Sequence, residues 1–211
     1  MTRLSTLRRF LKDDSGTTLV ELAIVLPVFL LLFFGTIDIG RLGSEYVMSG
    51  KAMQIAARMA AVRPAACAGV PNLNSRGVVA PGTVPPRYGA SCSSGANVCA
   101  NPGLIACAGS TANPTANEIW TAVSPILPAN ATPANLRFVY SYDANLGFLG
   151  GPYVPVVTVE LQNLSFQFVT PLGGLAALAR APTAGPPAQS IPFPSMSVSL
   201  PGEDLALGEA G

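Results

Sequence analysis

A long apolar stretch near the N-terminus constrains the fold of this chain more than any other feature. It runs from Leu19 to Ile37 and carries only one charged residue, Glu21. About 20 apolar residues are enough for a helix to cross the hydrocarbon core of a bilayer, so the sequence predicts a membrane helix over about residues 19–38. A charge in that setting costs about 2.5–3.5 kcal/mol on insertion scales. Glu21 therefore predicts a functional partner, the alternative being a carboxylate that only reaches the membrane surface.

A short basic leader precedes the apolar stretch and ends at a glycine. Its charged residues are Arg3, Arg8, Arg9, Lys12, Asp13 and Asp14. Basic residues next to a first span favour a cytoplasmic N-terminus. A secretory signal peptide also combines a basic start with an apolar core, but no Ala-x-Ala-like site closes this one. We therefore expect a retained anchor rather than a removed signal peptide.

The string from Gly16 to Glu21, Gly-Thr-Thr-Leu-Val-Glu, resembles the processing site of type IV prepilins. With Pro27 and the exit sequence Asp38-Ile-Gly-Arg41, the segment over about residues 14–42 more closely resembles TadE-like proteins. These are pseudopilins, or minor pilins, of tight-adherence (Flp-type) pilus systems. The resemblance does not account for the cysteine-bearing, proline-rich region that follows.

The resemblance implies a set of partners and a location. A prepilin peptidase would cut between Gly16 and Thr17 on the cytoplasmic face of the bacterial inner membrane. The mature chain would keep its helix and meet other pilins or pseudopilins and the pilus assembly platform. Glu21 would then pair with the free amino group of Thr17 on a neighbouring subunit, an interaction that is strong in a low dielectric.

Two further features lie within or just after the apolar stretch. Pro27 removes the helix hydrogen bond to the carbonyl of Ala23 and predicts a kink, which either allows the helix to bend during assembly or only reflects packing. Asp38 and Arg41 are three residues apart, so they are expected to pair on the helix surface where it leaves the membrane.

The helical pattern continues beyond the membrane to about Val62, and Arg63-Pro64 marks its end. A helix over residues 17–63 is therefore expected. One apolar stripe follows helical spacing through Met48, Ala52, Ile55, Met59 and Val62. We expect this stripe to pack on the chain's own globular part, with contacts to other subunits as the alternative.

Residues 64–135 are rich in proline, glycine and serine and are expected to form a periplasmic loop region. They contain all four cysteines: Cys67, Cys92, Cys99 and Cys107. An even number of cysteines in an oxidising compartment predicts two disulfides, with three connectivities open. Zinc is the rival interpretation, but the chain has no Cys-x-x-Cys pair and no histidine.

Thr115-Ala-Asn-Glu118 reads as a capping box that starts a short helix within this loop region. The helix would end before Pro125, and Trp120 is expected to anchor it in the core.

Residues 136–211 are expected to supply the sheet. Alternating apolar residues predict strands at 136–142, 154–161, 164–168 and 196–200, with a turn at Gln162-Asn163. A brief helix at Leu175–Arg180 and a solvated acidic tail follow from composition. The predicted fold class is α+β, with a long N-terminal helix, a loop-rich segment and a small antiparallel sheet. The strand aromatics Phe138, Tyr140, Phe166 and Phe168 are expected in the core, an adhesive surface patch being the alternative.

Composition narrows the function classes. Lys and Arg number 12 and Asp and Glu 11, so nothing favours nucleic acid, which needs a basic face. Without histidine, and with no recognisable catalytic or phosphate-binding constellation, we expect neither an enzyme nor a cofactor or metal site. Three hypotheses remain: a processed pseudopilin, an uncleaved single-pass protein with a periplasmic binding domain, and an adhesive tip subunit.

Overall fold

The computed structural model describes residues 17–169, 190–203 and 205. The predicted leader 1–16, the brief helix at 175–180 and the tail residues Asp204 and Glu209 lie outside this part of the chain. The α+β fold is confirmed: helix α1 spans Thr17–Val62 and a small antiparallel sheet follows. At 1.5 Å per residue, the 46 residues of α1 extend over about 69 Å. Two compact units divide the chain, and the described residues of the first are 17–42 and 167–169.

The second unit contains a four-stranded antiparallel sheet in the order β1-β2-β3-β6. The strands of this sheet are β1 Leu104–Ala108, β2 Leu136–Ser141, β3 Val156–Leu161 and β6 Met196–Pro201. Helix α2, Pro114–Val123, lies between β1 and β2 in the sequence. A separate two-stranded ribbon pairs β4, Ser165–Gln167, with β5, Ser190–Pro192.

The sheet has an apolar face and a mixed face, as strand alternation requires. The core on the apolar face is built from residues of β2 and β3: Phe138, Tyr140, Val157, Val159 and Leu161. On the other face, Arg137 Nη1 lies 3.3 Å from Glu160 Oε2, and the hydroxyls of Thr158 and Ser199 are 2.8 Å apart. Phe138, Tyr140 and Phe166 are therefore core residues, as expected, and Phe168 is half-buried.

Strand β1 lies inside the region that we expected to be loop apart from one short helix. Its sequence, Leu-Ile-Ala-Cys-Ala, is short and does not alternate in polarity, so periodicity gives no strand signal. The turn at Gln162-Asn163 exists, with Asn163 at a φ of 56°, but it does not form a hairpin. Strand β3 pairs with β2 and β6 in the four-stranded sheet, whereas β4 pairs with β5 in the two-stranded ribbon.

The predicted capping box of α2 is wrong. Asn113 is the N-cap, and its side chain accepts a hydrogen bond from the backbone N–H of Ala116 at 2.9 Å. Pro114 takes the first helical position, where its missing donor costs nothing. Ile119 and Val123 are the fully buried anchors, whereas Trp120 is only half-buried.

Candidate functional site

The first half of α1 is apolar on every side and largely exposed. Large side chains at nearly every position between Val20 and Ile39 are accessible, and only 6% of the most apolar 18-residue window is buried. The core helix of a soluble protein would be mostly buried. Within the described residues this is one helix long and apolar enough to cross a membrane. An exposed apolar surface of this kind is suited to lipid or to other apolar helices.

Glu21 lies at the start of this apolar half. Gly16, the predicted processing position, lies outside the described residues, whereas Thr17 begins α1. Glu21 lies four residues after Thr17 in α1. The Glu21 side chain is exposed. Its carboxylate is therefore open to a partner from outside this chain.

Helix α1 is not interrupted at Pro27, although proline cannot donate a helix hydrogen bond. Gly35, Gly40, Gly43 and Gly50 also lie in α1, and none would bring an added Cβ within 4 Å of another atom. The kink expected at Pro27 remains a prediction.

Asp38 and Arg41 lie close to one another where the apolar stretch ends. Arg41 Nη1 is 3.3 Å from Asp38 Oδ1, and the same oxygen accepts a hydrogen bond from the backbone N–H of Val169 at 3.2 Å. Asp38 is only 1% exposed, so these donors offset the cost of burying its charge. Sequence spacing suggested Arg41, but nothing near Asp38 in the sequence could suggest a residue 131 positions later.

The extension of α1 beyond residue 42 buries a face that the sequence analysis did not identify. The buried residues are small for the most part: Ser49, Ala52, Met53, Ala56, Ala57, Ala60 and Ala61. Met48 and Ile55 are each 41% exposed and Val62 is 37% exposed. The prediction that the stripe packs inward therefore holds only for Ala52, which is buried, and for Met59, which is half-buried. The other large residues of the stripe stay exposed, because alanine allows the closest approach of the helix backbone. Met48, Ile55, Met59 and Val62, here called the outer stripe, remain available to another chain.

All four cysteines form disulfides, Cys67 with Cys107 and Cys92 with Cys99. The first pair joins the segment after α1 to strand β1 across a separation of 40 residues, and the second closes a turn of 7. With every thiol paired in a disulfide, no cysteine is left to bind zinc in this structure. The pairing of Cys67 with Cys107 depends on the position of Cys107 in β1. The spacing of the cysteines in the sequence does not determine that position.

Residues 72–101 and 143–153 together form a region here called the loop lobe. Backbone hydrogen bonds join its two segments: Asn74 N–H to Gly151 O and Gly150 N–H to Asn74 O, each 2.9 Å, and Leu149 N–H to Ala90 O at 2.8 Å. Its small core consists of Cys92, Val98, Cys99 and Leu149. Backbone pairing and a disulfide therefore replace the large apolar core that this lobe lacks.

The loop lobe exposes aromatic side chains that the sequence analysis did not select. Tyr88 is 73% exposed, and the guanidinium of Arg76 lies 5.0 Å from the centre of its ring. A Cβ on Gly150 would come within 2.6 Å of that ring, so any side chain at this position would displace Tyr88. Phe148 is also 47% exposed. Tyr88 is thus an ordered aromatic surface with a cation beside it.

The second unit, residues 43–166 with 190–203 and 205 of those described, is here called the head. Its two buried tyrosines differ in whether their hydroxyls form a hydrogen bond. Tyr140 Oη accepts a hydrogen bond from the backbone N–H of Ala66 at 2.8 Å, and burial raises the pKa of Tyr140. Burial, with a smaller contribution from Tyr142, raises the pKa of Tyr153 to about 12. The Tyr153 hydroxyl has no hydrogen-bond partner among the described residues.

Comparison with known proteins identifies the helix. Residues 16–61 match the family model described as TadE-like protein, which is almost the whole of α1. The resemblance inferred from the sequence is therefore confirmed for this segment. No curated protein and no solved structure gave a significant match to the chain.

Proposed function

Because residues 16–61 form a TadE-like domain, which supports an association with a Tad pilus system, we propose that this protein is a pseudopilin that takes part in assembling a tight-adherence pilus. The observation that carries the proposal is the coincidence of the matched segment with α1, whose first half is apolar and exposed on all sides. Such a helix is suited to lie first in a membrane and then among the helices of other pilins.

The proposed topology has the N-terminus in the cytoplasm and the sheet and loop lobe in the periplasm. The basic residues of the leader favour this orientation. The two disulfides support it independently, since disulfides persist in oxidising compartments and are rare in the cytosol.

In the proposed mechanism, prepilin peptidase removes residues 1–16 and Glu21 acts in assembly. Cleavage creates a positive amino group at Thr17 of each mature subunit. The exposed carboxylate of Glu21 on a neighbouring subunit pairs with it, and the low dielectric around the apolar helices makes a mismatched position costly. The pair thus sets the axial position of one subunit against the next.

The outer stripe supports the same proposal. Met48, Ile55 and Val62 recur every seven residues along the extension of α1 and are more than a third exposed. A stripe of this kind fits along the helix of another pilin or of the assembly platform.

The first test is the N-terminal sequence and intact mass of the protein extracted from membranes, with and without prepilin peptidase. We expect a peptidase-dependent start at Thr17 with the apolar helix retained. A start at Met1 in both strains would favour an uncleaved single-pass protein with a periplasmic binding domain. A start beyond about residue 36 would indicate a removed signal peptide and contradict the proposal.

An adhesive tip subunit is a second candidate, favoured by the exposed Tyr88 and its neighbour Arg76 in the loop lobe. Deleting residues 64–135 would remove β1, α2 and all four cysteines, so point substitutions are the sharper test. Tyr88→Ala should spare filaments and reduce attachment if the lobe is adhesive, with Asn117→Ala as an exposed control outside the lobe. Unchanged attachment in Tyr88→Ala would count against this role.

A further inference from the structure

Both edges of the four-stranded sheet are open among the described residues. Strand β1 pairs with β2 on one side, and β6 pairs with β3 on one side. Neither edge carries the charges or inward-pointing lysines that protect exposed edges in many proteins. Leu104 is 65% exposed at the start of β1, and Ala106 and Ala108 are exposed as well.

The hydrogen bonds at the end of β1 determine which of its backbone groups point outward. Gly109 N–H donates to Leu136 O at 2.7 Å, in register with the β1–β2 pairs. Hydrogen-bonded pairs alternate along an antiparallel ladder, so Ile105 and Cys107 bond inward to β2. The N–H and C=O groups of Leu104, Ala106 and Ala108 point away from the sheet.

The same reasoning applies to β6. Gly202 N–H donates to Pro155 O at 2.8 Å, in register with the β3–β6 pairs. Val198 and Leu200 therefore bond inward to β3. The backbone groups of Ser197 and Ser199 point outward, and Pro201 offers only its carbonyl there because proline has no N–H.

These two edges are complementary because the sheet has an even number of strands. All its neighbouring strands are antiparallel, so β6 runs opposite to β1. Placing β6 of one copy beside β1 of another continues the antiparallel order. The outward-pointing residues of both strands have their side chains on the mixed face, so the apolar faces of the two copies also align.

We propose that neighbouring copies of this protein join their sheets edge to edge, with β1 of one copy pairing with β6 of the next. The inference rests on the proposed assembly function. Opposing residues would be Ala106 with Ser199, Ala108 with Ser197 and Leu104 with Pro201. Each of the first two pairs exchanges two backbone hydrogen bonds, and the proline pair forms one. Because Pro201 cannot donate, a shift of two residues, which places it opposite Ala106, loses a bond from the middle of the ladder.

The pairing is head-to-tail, so it leaves an open edge on each outer copy and can repeat along a filament. A strand pair of five residues buries much less than the ~1,600 Å² of a standard stable interface. It therefore forms between copies that α1 already brings together, and not between freely diffusing molecules.

Cysteine crosslinking of the full chain in membranes tests this proposal. Two differently tagged copies are produced together, one carrying Ala106→Cys and the other Ser199→Cys. The four native cysteines are all paired, so the introduced thiols can react with one another. Directly opposed strand residues lie about 5.5 Å apart between Cα atoms, within the range that a disulfide spans. We expect a mixed dimer on mild oxidation, and no dimer from either variant alone.

Other outcomes contradict the proposal in distinct ways. A dimer from Ala106→Cys alone would show two β1 strands pairing with each other, and a dimer from Ser199→Cys alone would show two β6 strands doing so. Absence of any crosslink in cells that process the chain at Thr17 would overturn edge pairing and leave the proposed function intact. A chain that is not cut at Thr17 would count against the proposed function. The crosslink is measured on the protein in the membrane, so its presence or absence would still show whether β1 and β6 pair.

A second pair of variants tests whether misfolding, rather than loss of edge pairing, explains a missing crosslink. Ala106→Pro removes an N–H that points outward and should be tolerated by the fold, as prolines are on edge strands. It should reduce the Ala108→Cys to Ser197→Cys crosslink at least tenfold. Ala106→Val keeps the N–H and should leave that crosslink unchanged. Equal crosslinking in both variants would contradict the hydrogen-bonded pairing, provided that both form their native disulfides.

Discussion

The first half of α1 and the loop lobe both have very little apolar core of their own, and they compensate for this in different ways. The helix exposes apolar side chains in every direction, so its stability in water depends on lipid or on other helices. The loop lobe is stabilised by backbone hydrogen bonds between its two segments and by the Cys92–Cys99 disulfide. The helix therefore needs partners to be stable, whereas the lobe is stabilised within the chain. Substitutions in α1 should change assembly, and substitutions in the head should change stability.

The largest expected effect is on assembly, from Glu21→Gln. This variant keeps the size of the side chain and removes its charge, so membrane insertion should persist while the pair with the Thr17 amino group is lost. Filaments should fall below detection by electron microscopy, and the amount of protein in the membrane fraction should not change. Glu45→Gln, which alters another acid of α1 outside the apolar stretch, is the matched control. Normal piliation in Glu21→Gln would remove the role we assign to Glu21.

The next largest effect is on the stability of the head, from loss of the Cys67–Cys107 disulfide. Its loop of 40 residues corresponds to about 4 kcal/mol in the chain-entropy model, against about 2.5 kcal/mol for the 7-residue loop of Cys92–Cys99. Cys67→Ala with Cys107→Ala should therefore lower the free energy of unfolding more than Cys92→Ala with Cys99→Ala. Guanidinium unfolding of the full chain in detergent, followed through the fluorescence of the single tryptophan, Trp120, measures both. The reverse order would show that the lobe, rather than the sheet, limits stability.

A smaller effect on the free energy of unfolding is expected from removing the hydroxyl of Tyr140, and this effect should differ from that of removing the hydroxyl of Tyr153. Tyr140→Phe leaves the buried N–H of Ala66 without its acceptor and should destabilise the head by about 1–3 kcal/mol. Tyr153→Phe removes a buried hydroxyl that lacks a partner among the described residues, so it should leave the free energy of unfolding unchanged or raise it. The same unfolding measurement, made at pH 7, compares the two variants. Similar losses in both would mean that ring packing, rather than the hydroxyl, explains the effect.

Alkaline pH provides a related prediction. The folded state raises the pKa of Tyr153 from 10.0 to about 12, so the folded protein binds this proton more tightly than the unfolded chain. The resulting stabilisation is complete below pH 10 and is lost as the pH rises from 10 to about 12. Tyr153→Phe should lose less stability than the wild type over this interval. An identical pH dependence would assign the loss to other groups, Tyr140 first among them because its pKa is also raised.

The smallest effect is expected from Arg63→Ala. Arg63 Nη2 lies 3.1 Å from Glu118 Oε1, and the hydrogen bond to Glu118 raises the pKa of Arg63. Both side chains are nearly half exposed, where water and salt weaken an ion pair. The unfolding midpoint should stay within experimental error, in low salt and in 0.5 M salt alike. A clear, salt-sensitive loss would show that this pair helps to hold α2 against the end of α1.

Amino-acid sequence alone determined the parts of this protein that depend on local chemistry. The apolar stretch, the helix ending before Pro64 and the alternating strands around residues 138, 158 and 198 follow from periodicity and from proline's missing donor. The motif from Gly16 to Glu21, together with Pro27 and the exit sequence Asp38-Ile-Gly-Arg41, indicated the family of the helix. The pairing of all four cysteines followed from their even number and the expected compartment.

Tertiary structure decided what depends on contacts between distant residues. It selected the alanine face of α1 for burial over the outer stripe, because small residues allow closer approach than large ones. It turned Leu104–Ala108 into a strand through pairing with β2, whose partner residues lie more than 25 positions away, and that strand placed Cys107 opposite Cys67. It also brought Val169 to Asp38 and assembled the loop lobe from two segments. Each of these outcomes depends on long-range packing, which no local window of sequence contains.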